Sequence, residues 1–237
     1  MNKNEKDWVV YWNNKNFSSE KIYRMNMDIF IRATDPILGY HNKDTVLDIG
    51  SGFGYLPAFL KNRVKEIHCL DVSEWFLDLS IKQFSQKKNI FFYKLDLDNY
   101  TDLSIVKDKT FSKIICLGVI PYYKNIEELE RLIEEVRKVA APGAKFIITD
   151  IPTDTKVYSG AWSLLKTGLS KLLLFEVIKQ LIMYRISDYY KIRSSIGLLV
   201  LSKERINSLI QRLDLDADII STPMTINKGR LHILIRF

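Results

Sequence analysis

One segment, residues 46–54, constrains the fold of this chain more than any other. It reads Val-Leu-Asp-Ile-Gly-Ser-Gly-Phe-Gly, an apolar run that passes into alternating glycines. The apolar run predicts a buried strand, and the glycines predict a turn with positive φ or a close approach of the backbone to a ligand. A helix is expected over residues 55–64, where Pro57 fits the first turn because N–H groups there have no intrahelical partner. The segment therefore predicts a strand, a glycine turn and a helix that presents free N–H groups to a ligand.

The spacing of the glycines indicates which ligand the turn binds. A dinucleotide fingerprint has the pattern G-x-G-x-x-G, whereas this turn has Gly50, Gly52 and Gly54, with Asp48 near the end of the strand. The resulting pattern, D-x-G-x-G-x-G, resembles the first motif of the class I S-adenosylmethionine-dependent methyltransferases. In that family the turn holds the amino-acid end of the cofactor. The same spacing disfavours a nicotinamide dehydrogenase.

Two further strand ends carry the resemblance. The apolar run 67–70 ends at Asp71 and is similar to the family's second strand, whose terminal acid binds both ribose hydroxyls. A carboxylate suits that task because its two oxygens accept hydrogen bonds from two neighbouring donors. The run 90–95 ends at Asp96, and in the family an acid at this position commonly meets the adenine amino group.

Later motifs follow in the same order. Residues 111–118 resemble the family's fourth strand, and residues 135–144 resemble its helix-to-strand turn. Ser112 stands where the family usually has an acid, and Ala144 stands where it has a second glycine. Neither position touches the cofactor in the family, so the resemblance still implies a bound methyl donor. It covers about residues 44–150.

The resemblance implies S-adenosylmethionine as the cofactor and S-adenosylhomocysteine as the product. The residues that it assigns to cofactor binding are Asp48, Gly50, Ser51, Gly52, Gly54, Asp71, Val72, Asp96, Leu97 and Leu117. Tyr11 joins them as a candidate, because an N-terminal aromatic segment covers the cofactor in many related enzymes; the alternative is that it covers one face of the sheet. Tyr122 follows the fourth strand and is the candidate catalytic residue, positioning the acceptor or bounding its pocket, with simple packing as the alternative.

The alternation of strands and helices over residues 45–149 predicts an α/β fold with a parallel sheet. The resemblance makes this a Rossmann-like, seven-stranded, mostly parallel sheet with helices on both faces, an antiparallel last strand and a helical insertion between strands 5 and 6. Further expected elements are helices over residues 19–38, 73–86, 126–140 and 203–213, and strands over residues 145–149, 217–221 and 231–235.

We expect a single methyltransferase domain over residues 1–237. Its expected parts are an N-terminal cap (1–40), the cofactor-binding core (44–150), a helical lid insertion (155–202) and a closing helix and hairpin (203–237). The insertion holds a strongly apolar stretch that must bury its face somewhere. It is interpreted as a lid over the acceptor pocket, or else residues 160–186 form a dimer interface or a membrane-surface helix. Residues 187–195 are expected to form a polar, aromatic return loop.

Composition and charge restrict the cellular compartment and the partners that we expect for this protein. Lys and Arg number 35 against 28 Asp and Glu, a net charge of +7 that is spread along the chain. This charge is compatible with an acidic substrate, a nucleic acid, an anionic membrane or a solvated surface. Cys69 and Cys116 lie in predicted buried strands, and with three isolated histidines they form no zinc site, so no metal is expected. The N-terminus lacks an apolar signal core and no run is long enough to cross a bilayer, which predicts a cytoplasmic protein.

The chemistry implied by the resemblance needs few special residues. Methyl transfer from a sulfonium is an in-line displacement, for which the protein mainly aligns the acceptor and supplies a base only where the acceptor holds its proton. No base is evident, since His41, His68 and His232 all fit structural roles.

The absence of one sequence motif restricts the class of acceptor. The Asn/Asp-Pro-Pro-Tyr/Phe motif of amino-group methylation on nucleobases and glutamine is absent, because residues 118–122 are Gly-Val-Ile-Pro-Tyr. This disfavours nucleic acid as the acceptor. Because no base is evident, the sequence does not separate O-methylation from N-methylation. The reaction that we favour is O-methylation of a hydroxylated small molecule, such as a metabolite, a sugar or a lipid-linked glycan. The alternatives are a protein or RNA methyltransferase with an open basic groove, and a cofactor-binding protein without turnover.

Overall fold

Seven strands form one sheet in the computed structural model, which describes residues 8–13, 20–153 and 187–237. The strands are β1 (Thr45–Ile49), β2 (Glu66–Asp71), β3 (Ile90–Lys94), β4 (Phe111–Leu117), β5 (Ala140–Ile151), β6 (Asp216–Ile220) and β7 (Leu231–Arg236). Their order is β3-β2-β1-β4-β5-β7-β6. Strands β1 to β5 pair in parallel, and β7 runs antiparallel to both of its neighbours. This confirms the predicted Rossmann-like sheet with its antiparallel last strand.

Helices connect these strands at the expected places. They are α1 (Trp8–Asn13), α2 (Glu20–Leu38), α3 (Tyr55–Leu60), α4 (Glu74–Phe84), α5 (Ile126–Val139), α6 (Asp188–Ile196) and α7 (Lys203–Arg212), with 3₁₀ turns at Ser104–Val106 and Ile120–Tyr122. The helix expected over residues 55–64 ends early, because the chain turns after Leu60, whose carbonyl accepts from the Arg63 N–H at 2.8 Å. β5 is longer than expected, since it already pairs with β4 at Ala140.

The expectation of a return loop at residues 187–195 is wrong, because this segment forms α6. Two local signals begin the helix: the Ser187 hydroxyl accepts from the Tyr190 N–H at 3.2 Å, and Asp188 lies in the first turn. A serine cap and an early acid both stabilise a helix N-terminus. The chain leaves the helix only at Gly197, where φ is 75°. Residues 155–186 of the predicted insertion, with the candidate dimer or membrane contact at residues 160–186, lie in the undescribed range 154–186.

The order of the strands positions the functional edge. β2 lies on one side of β1 and β4 on the other, so the connections leaving β1 and β4 diverge at their carboxyl ends. In open α/β sheets such a switch point creates a crevice in which ligands bind. The glycine turn that follows β1 opens into this crevice.

Both faces of the sheet are buried, so most strands are nearly continuous apolar runs. One face packs against α5 and α7 through side chains that include Leu47, Ile114 and Ile233, and the other packs against α2 and α3 through side chains that include Val46, Ile115 and Leu234. Cys69 and Cys116 are buried free thiols within these strands. Along the described ranges, no helix has the length and apolar character needed to cross a membrane.

Candidate active site

The glycine turn is fixed to the neighbouring strand by its own backbone. The N–H groups of Gly50 and Ser51 both donate to the Leu70 carbonyl, at 2.8 and 3.1 Å, and the Gly54 N–H donates to the Ser51 carbonyl at 3.1 Å. Gly50, Gly52 and Gly54 have φ values of 75°, 52° and 71°. All three lie in the left-handed region that residues with a Cβ rarely adopt, which confirms the turn predicted from the sequence.

The three glycines have different surroundings. A Cβ on Gly50 would lie 2.3 Å from Val119 Cγ2, and one on Gly54 would lie 2.9 Å from Ser80 Oγ. A Cβ on Gly52 would meet no described residue other than its chain neighbours within 4 Å. Gly50 and Gly54 therefore let the turn pack against its neighbours, while Gly52 is the glycine that borders open space where a ligand can approach.

Asp71 at the end of β2 stabilises the glycine turn through hydrogen bonds. Its Oδ2 accepts from the Gly52 N–H at 2.8 Å and its Oδ1 accepts from the Ser73 N–H at 2.9 Å. Burial raises the pKa of this carboxyl, and the hydrogen bonds from backbone N–H groups partly oppose that shift. Each carboxylate oxygen can accept a second hydrogen bond. Asp71 is thus able to hold the turn and two vicinal hydroxyls together.

Asp48 lies beneath the turn as a buried carboxyl with unused bonding capacity. Its Oδ2 and the neighbouring Ser51 Oγ are buried and have no hydrogen-bond partner among the described residues. Burial, with a smaller contribution from the charge of Asp71, raises the pKa of Asp48 to about 8. Buried polar atoms without partners are rare in folded proteins. A ligand with an ammonium group would supply the missing charge and hydrogen bond.

The other predicted cofactor residues lie at the carboxyl ends of adjacent strands. Val72 and Leu117 are partly buried at the ends of β2 and β4, and Leu97 is partly buried after β3. The Leu95 N–H donates to the Asp71 carbonyl at 2.9 Å, which holds the segment after β3 beside β2. Asp96 is exposed, and its Oδ1 accepts from the Asp98 N–H at 2.8 Å. The fold therefore brings these positions to the same edge as the glycine turn.

Aromatic side chains from three distant segments meet at this edge. We define the aromatic cluster as Trp8, Tyr11, Trp12, Tyr122 and Tyr189. The Trp8 ring centroid lies 5.0 Å from those of both Tyr122 and Tyr189, and Trp12 lies 5.0 Å from Tyr122. Trp8 Nε1 also donates to the Gly197 carbonyl at 2.9 Å. Helix α1 is thereby attached both to the turn after β4 and to α6.

The aromatic cluster continues to the glycine turn. The ring centroid of Trp12 lies 6.3 Å from that of Phe76, which in turn lies 4.7 Å from that of Phe53 in the turn itself. Trp12 Nε1 is buried with no partner among the described residues. Our sequence reasoning singled out Tyr11 and missed the central positions of Trp8 and Trp12. The spacing of Trp8, Tyr11 and Trp12 places all three residues on one helix face, and this spacing could have indicated their shared role.

Tyr122, the predicted catalytic residue, lies within the aromatic cluster. Its hydroxyl is 3.4 Å from that of Tyr189. Burial raises the pKa of Tyr122 well above its ordinary value, and the nearby Tyr189 hydroxyl raises it further. Tyr122 is therefore a neutral phenol at physiological pH. It can donate or accept a hydrogen bond, which suits a role in positioning an acceptor or bounding its pocket.

The histidines differ in their environments. The buried His68 ring contacts the Tyr93 hydroxyl at 3.1 Å and the Glu66 carboxylate at 3.2 Å, in accord with a structural role. Nδ1 of His232 in β7 accepts from the Asp150 N–H at 3.2 Å, while its Nε2 has no partner in the described chain. Asp150 was not singled out by our sequence reasoning. No local pattern marks it, because its surroundings depend on β7, about 80 residues further along the chain.

The buried His232 makes stability depend on pH. Burial lowers the pKa of His232 from 6.5 to about 4. Below pH 6.5 the unfolded chain binds a proton that the folded protein does not, so stability is lost as the pH falls towards 4. Between pH 7 and pH 5 this group should cost about 2 kcal/mol. When the free energy of unfolding is measured with urea at pH 7 and at pH 5, the His232→Asn variant should lack this contribution to the difference between the two values. An equal change in unfolding free energy between pH 7 and pH 5 in the two proteins would contradict the burial of a neutral imidazole.

Comparison with known proteins finds a family model that matches the central part of the chain. Residues 46–143 match the family model described as "Methyltransferase domain". Its boundaries run from β1 through the glycine turn to the start of β5. With the sheet order and the turn geometry, this match supports the resemblance of residues 46–143 to the class I S-adenosylmethionine-dependent methyltransferases.

Individual relatives are distant. The chain is 24% identical over 151 residues to chondramide synthase cmdD of Chondromyces crocatus, which covers 61% of this chain and 4% of the synthase. It is 28% identical over 126 residues to ribosomal RNA small subunit methyltransferase A of Fusobacterium nucleatum, which covers 50% of this chain and 45% of that protein. The chain therefore spans less than half the length of either curated relative.

Solved structures share the fold along almost the whole chain. The PH0226 protein of Pyrococcus horikoshii OT3 superposes with a TM-score of 0.58 at 21% identity, covering 98% of this chain and 94% of that protein. At this level of identity the likeness establishes the architecture alone.

Proposed function

We propose that this protein transfers a methyl group from S-adenosylmethionine to a small-molecule acceptor and releases S-adenosylhomocysteine. The acceptor that we favour is a hydroxylated metabolite, a sugar or a lipid-linked glycan, methylated on oxygen in the cytoplasm. The observation that carries the cofactor assignment is the arrangement of Asp71 and Gly52. The carboxylate accepts from the Gly52 N–H at 2.8 Å, and among the described residues nothing beyond the chain neighbours lies within 4 Å of the place where a Gly52 side chain would begin.

The described residues fit this cofactor by their chemistry. Asp71 would accept from the ribose hydroxyls, and the buried Asp48 carboxyl, with its unpartnered Oδ2, would balance the ammonium of the amino-acid end. Asp96 is available for the adenine amino group. When bound, the cofactor supplies a methyl group on a positively charged sulfur that leaves as a neutral thioether. The protein's own task is then to bind and orient the acceptor and to exclude water.

The aromatic cluster supports a small acceptor over a macromolecule. Its rings pack at 5.0 to 6.3 Å from one another next to Tyr122, and they cover the edge of the sheet where an acceptor must approach. An open basic groove for RNA or protein would leave this edge accessible. A protein or RNA methyltransferase is the second candidate, and the similarity to a ribosomal RNA methyltransferase at 28% identity is the observation that favours RNA within it. A cofactor-binding protein without turnover is the third candidate.

Removal of the Asp71 carboxylate tests the cofactor site. Asp71→Ala should weaken S-adenosylhomocysteine binding by about 1–3 kcal/mol, because charge-assisted hydrogen bonds to both ribose hydroxyls are lost. The measurement is calorimetric titration of the variant, with Asp78→Asn on the exposed face of α4 as the matched control. Thermal unfolding of each variant shows whether the turn survives. Unchanged affinity in a folded Asp71→Ala protein would remove Asp71 from the site.

The size of the acceptor is tested by following the methyl group. The protein is incubated with S-adenosylmethionine labelled on the methyl group and with a cell extract that has been separated into small molecules, RNA and protein. Label should enter the small-molecule fraction. Label in the RNA or protein fraction instead would select the second candidate.

A further inference from the structure

The carboxyl end of β5 contains an irregularity that places one acid in an unusual position. The register between β5 and β7 shifts between Ile148 and Ile151, and within this bulge Asp150 has a φ of 66°. Its N–H donates to Nδ1 of His232 in place of a strand carbonyl. A non-glycine residue in this region of φ is strained and persists only where its surroundings enforce it. His232 and the bulge therefore determine where the Asp150 side chain lies.

Three side chains hold the Asp150 carboxylate on one side. The Thr225 hydroxyl donates to Oδ1 at 2.9 Å, the Arg230 guanidinium lies 3.6 Å from Oδ1, and the Asn227 amide is 3.4 Å from Oδ1 and 3.3 Å from Oδ2. In the described chain, the one hydrogen bond to Oδ2 is the 3.3 Å contact from Asn227, which is longer than the 2.9 Å bond from Thr225 to Oδ1. It retains the capacity to accept a strong hydrogen bond.

The less engaged oxygen faces the functional edge. Asp150 Oδ2 lies 3.9 Å from the position of a Cβ on Gly118, the residue that follows β4. The next residue, Val119, packs against Gly50 of the cofactor turn. Adjacent strands are about 4.8 Å apart, so β1 and β5, separated by β4, place Asp150 roughly 10 Å from that turn. A small molecule can span this distance.

Two observations indicate that this end of the sheet receives a polar group. Thr149 Oγ1 and His232 Nε2 are fully buried and have no partner among the described residues. Since His232 Nδ1 accepts a hydrogen bond, the neutral ring carries its proton on Nε2, which is an unused donor. The charge of Asp150 also contributes to the raised pKa of Tyr122, which shows that the two groups are close enough to interact.

We infer that Asp150 Oδ2 binds the acceptor by accepting a hydrogen bond from its hydroxyl or amino group, and that the site discriminates against carboxylates. This inference rests on the proposed function, because it assigns the acceptor side of the same site. A carboxylate on the acceptor would place two acceptor-only groups together, which is unfavourable without a shared proton. Burial raises the pKa of the Asp150 carboxyl, and the nearby Arg230 guanidinium opposes that shift. Because Arg230 already supplies a positive charge, a neutral acceptor group is sufficient.

The test uses two sets of matched compounds. Glucose, glucosamine and glucuronate form one set, and catechol, 2-aminophenol and salicylate form the other. Each set carries a hydroxyl, an amino group or a carboxylate on one skeleton. Binding to the protein saturated with S-adenosylhomocysteine is measured by saturation-transfer NMR, and transfer of labelled methyl is measured with S-adenosylmethionine.

The inference predicts binding of hydroxyl or amino compounds from at least one set and none of the carboxylates. Asp150→Asn should weaken that binding at least tenfold and leave the affinity for S-adenosylhomocysteine within twofold. The control Asp78→Asn should leave the affinities for both ligands within twofold. Preferred binding of the carboxylates, no binding of any of the six compounds, or unchanged binding by Asp150→Asn would overturn it. Failure of the unaltered protein to bind S-adenosylhomocysteine would instead overturn the proposed function.

His232 provides a second test as a positioning residue. His232→Asn retains an oxygen near Nδ1 that can accept from the Asp150 N–H, whereas His232→Leu does not. The leucine variant should lose acceptor binding to the same extent as Asp150→Asn, with cofactor affinity retained, and the asparagine variant should restore it. A role confined to stability would lower the melting temperature of both variants with no selective loss of acceptor binding.

Discussion

Gly50→Ala should lower the free energy of unfolding by about 2–5 kcal/mol, because two penalties add at this position. The first is the φ of 75°, which strains any residue with a Cβ. The second is overlap, since the new Cβ would lie 2.3 Å from Val119 Cγ2. The glycine turn cannot move away easily, because the N–H groups of Gly50 and Ser51 both donate to the Leu70 carbonyl. The measurement is urea unfolding at pH 7.

The two penalties are separable with a second substitution. Val119→Ala removes the overlapping methyl group, after which the nearest remaining atom, the residue 119 Cβ, is 3.7 Å away. The double variant Gly50→Ala with Val119→Ala should therefore regain about 1–3 kcal/mol relative to the sum of the single effects. Strict additivity of the two single effects on unfolding free energy would show that a Cβ at position 50 does not overlap with Val119.

Gly52→Ala is the matched control in the same turn. Its φ of 52° brings strain, but in the part of the chain that the structure describes its Cβ would meet nothing beyond the chain neighbours within 4 Å. The loss of stability should be only about 1–2 kcal/mol, while the affinity for S-adenosylhomocysteine should fall at least tenfold because the methyl group enters the space next to Asp71. Gly50 thus controls folding and Gly52 controls binding. A Gly52→Ala variant that binds the cofactor normally would show that the open space is not the binding site.

Asp48→Asn should raise stability at pH 7 while weakening cofactor binding. Burial raises the pKa of Asp48 from 3.8 to about 8, so between these values the folded protein keeps a proton that the unfolded chain releases. Stability contributed by this group therefore falls as the pH rises from about 4 to about 8. The shift corresponds to several kcal/mol at most, and local relaxation should reduce the gain from asparagine to about 1–3 kcal/mol. Thermal and urea unfolding measure the gain.

The pH dependence identifies Asp48 as the source of this gain. The groups that feel its charge are the buried Asp71, Cys69, Cys116 and Tyr40. All of them remain in the variant. The advantage of Asp48→Asn over the unaltered protein should shrink as the pH is lowered from 7 to 5. A constant advantage would mean that asparagine acts by packing rather than by removing a carboxyl that resists ionisation.

Cofactor binding should drive the same carboxyl to ionise. An ammonium group next to Asp48 favours the carboxylate, so binding of S-adenosylhomocysteine at pH 7 should release close to one proton. Calorimetry in two buffers of different ionisation enthalpy counts the protons. Asp48→Asn should bind about tenfold or more weakly and should release none from this position. Equal proton release by the two proteins would place the ammonium elsewhere.

The sequence predicted the parts of this molecule that depend on local pattern. The glycine turn with Asp48 and Asp71 follows from strand ends and glycine spacing, and the strand order follows from motifs in register. Helix α6 was missed because the polar and aromatic composition of residues 187–195 outweighed the capping serine at Ser187. That signal was readable in the sequence, so the error lay in its interpretation.

Other features could not be predicted because they depend on contacts between distant segments. The aromatic cluster needs α1, the turn after β4 and α6 to meet, and its members Trp8 and Tyr189 are far apart in the sequence. The position of Asp150 depends on a register shift against β7 and on an imidazole acceptor that replaces a strand carbonyl. Neither the bulge nor the strained φ leaves a pattern in the residues around Asp150.

The central claim is that the glycine turn and Asp71 form an S-adenosylmethionine site. The most direct test is calorimetric titration of the unaltered protein with S-adenosylmethionine and S-adenosylhomocysteine, with NAD as the control. We expect micromolar binding of the two sulfur nucleosides and none of NAD. Binding of NAD, or failure to bind either sulfur nucleoside, would contradict the claim.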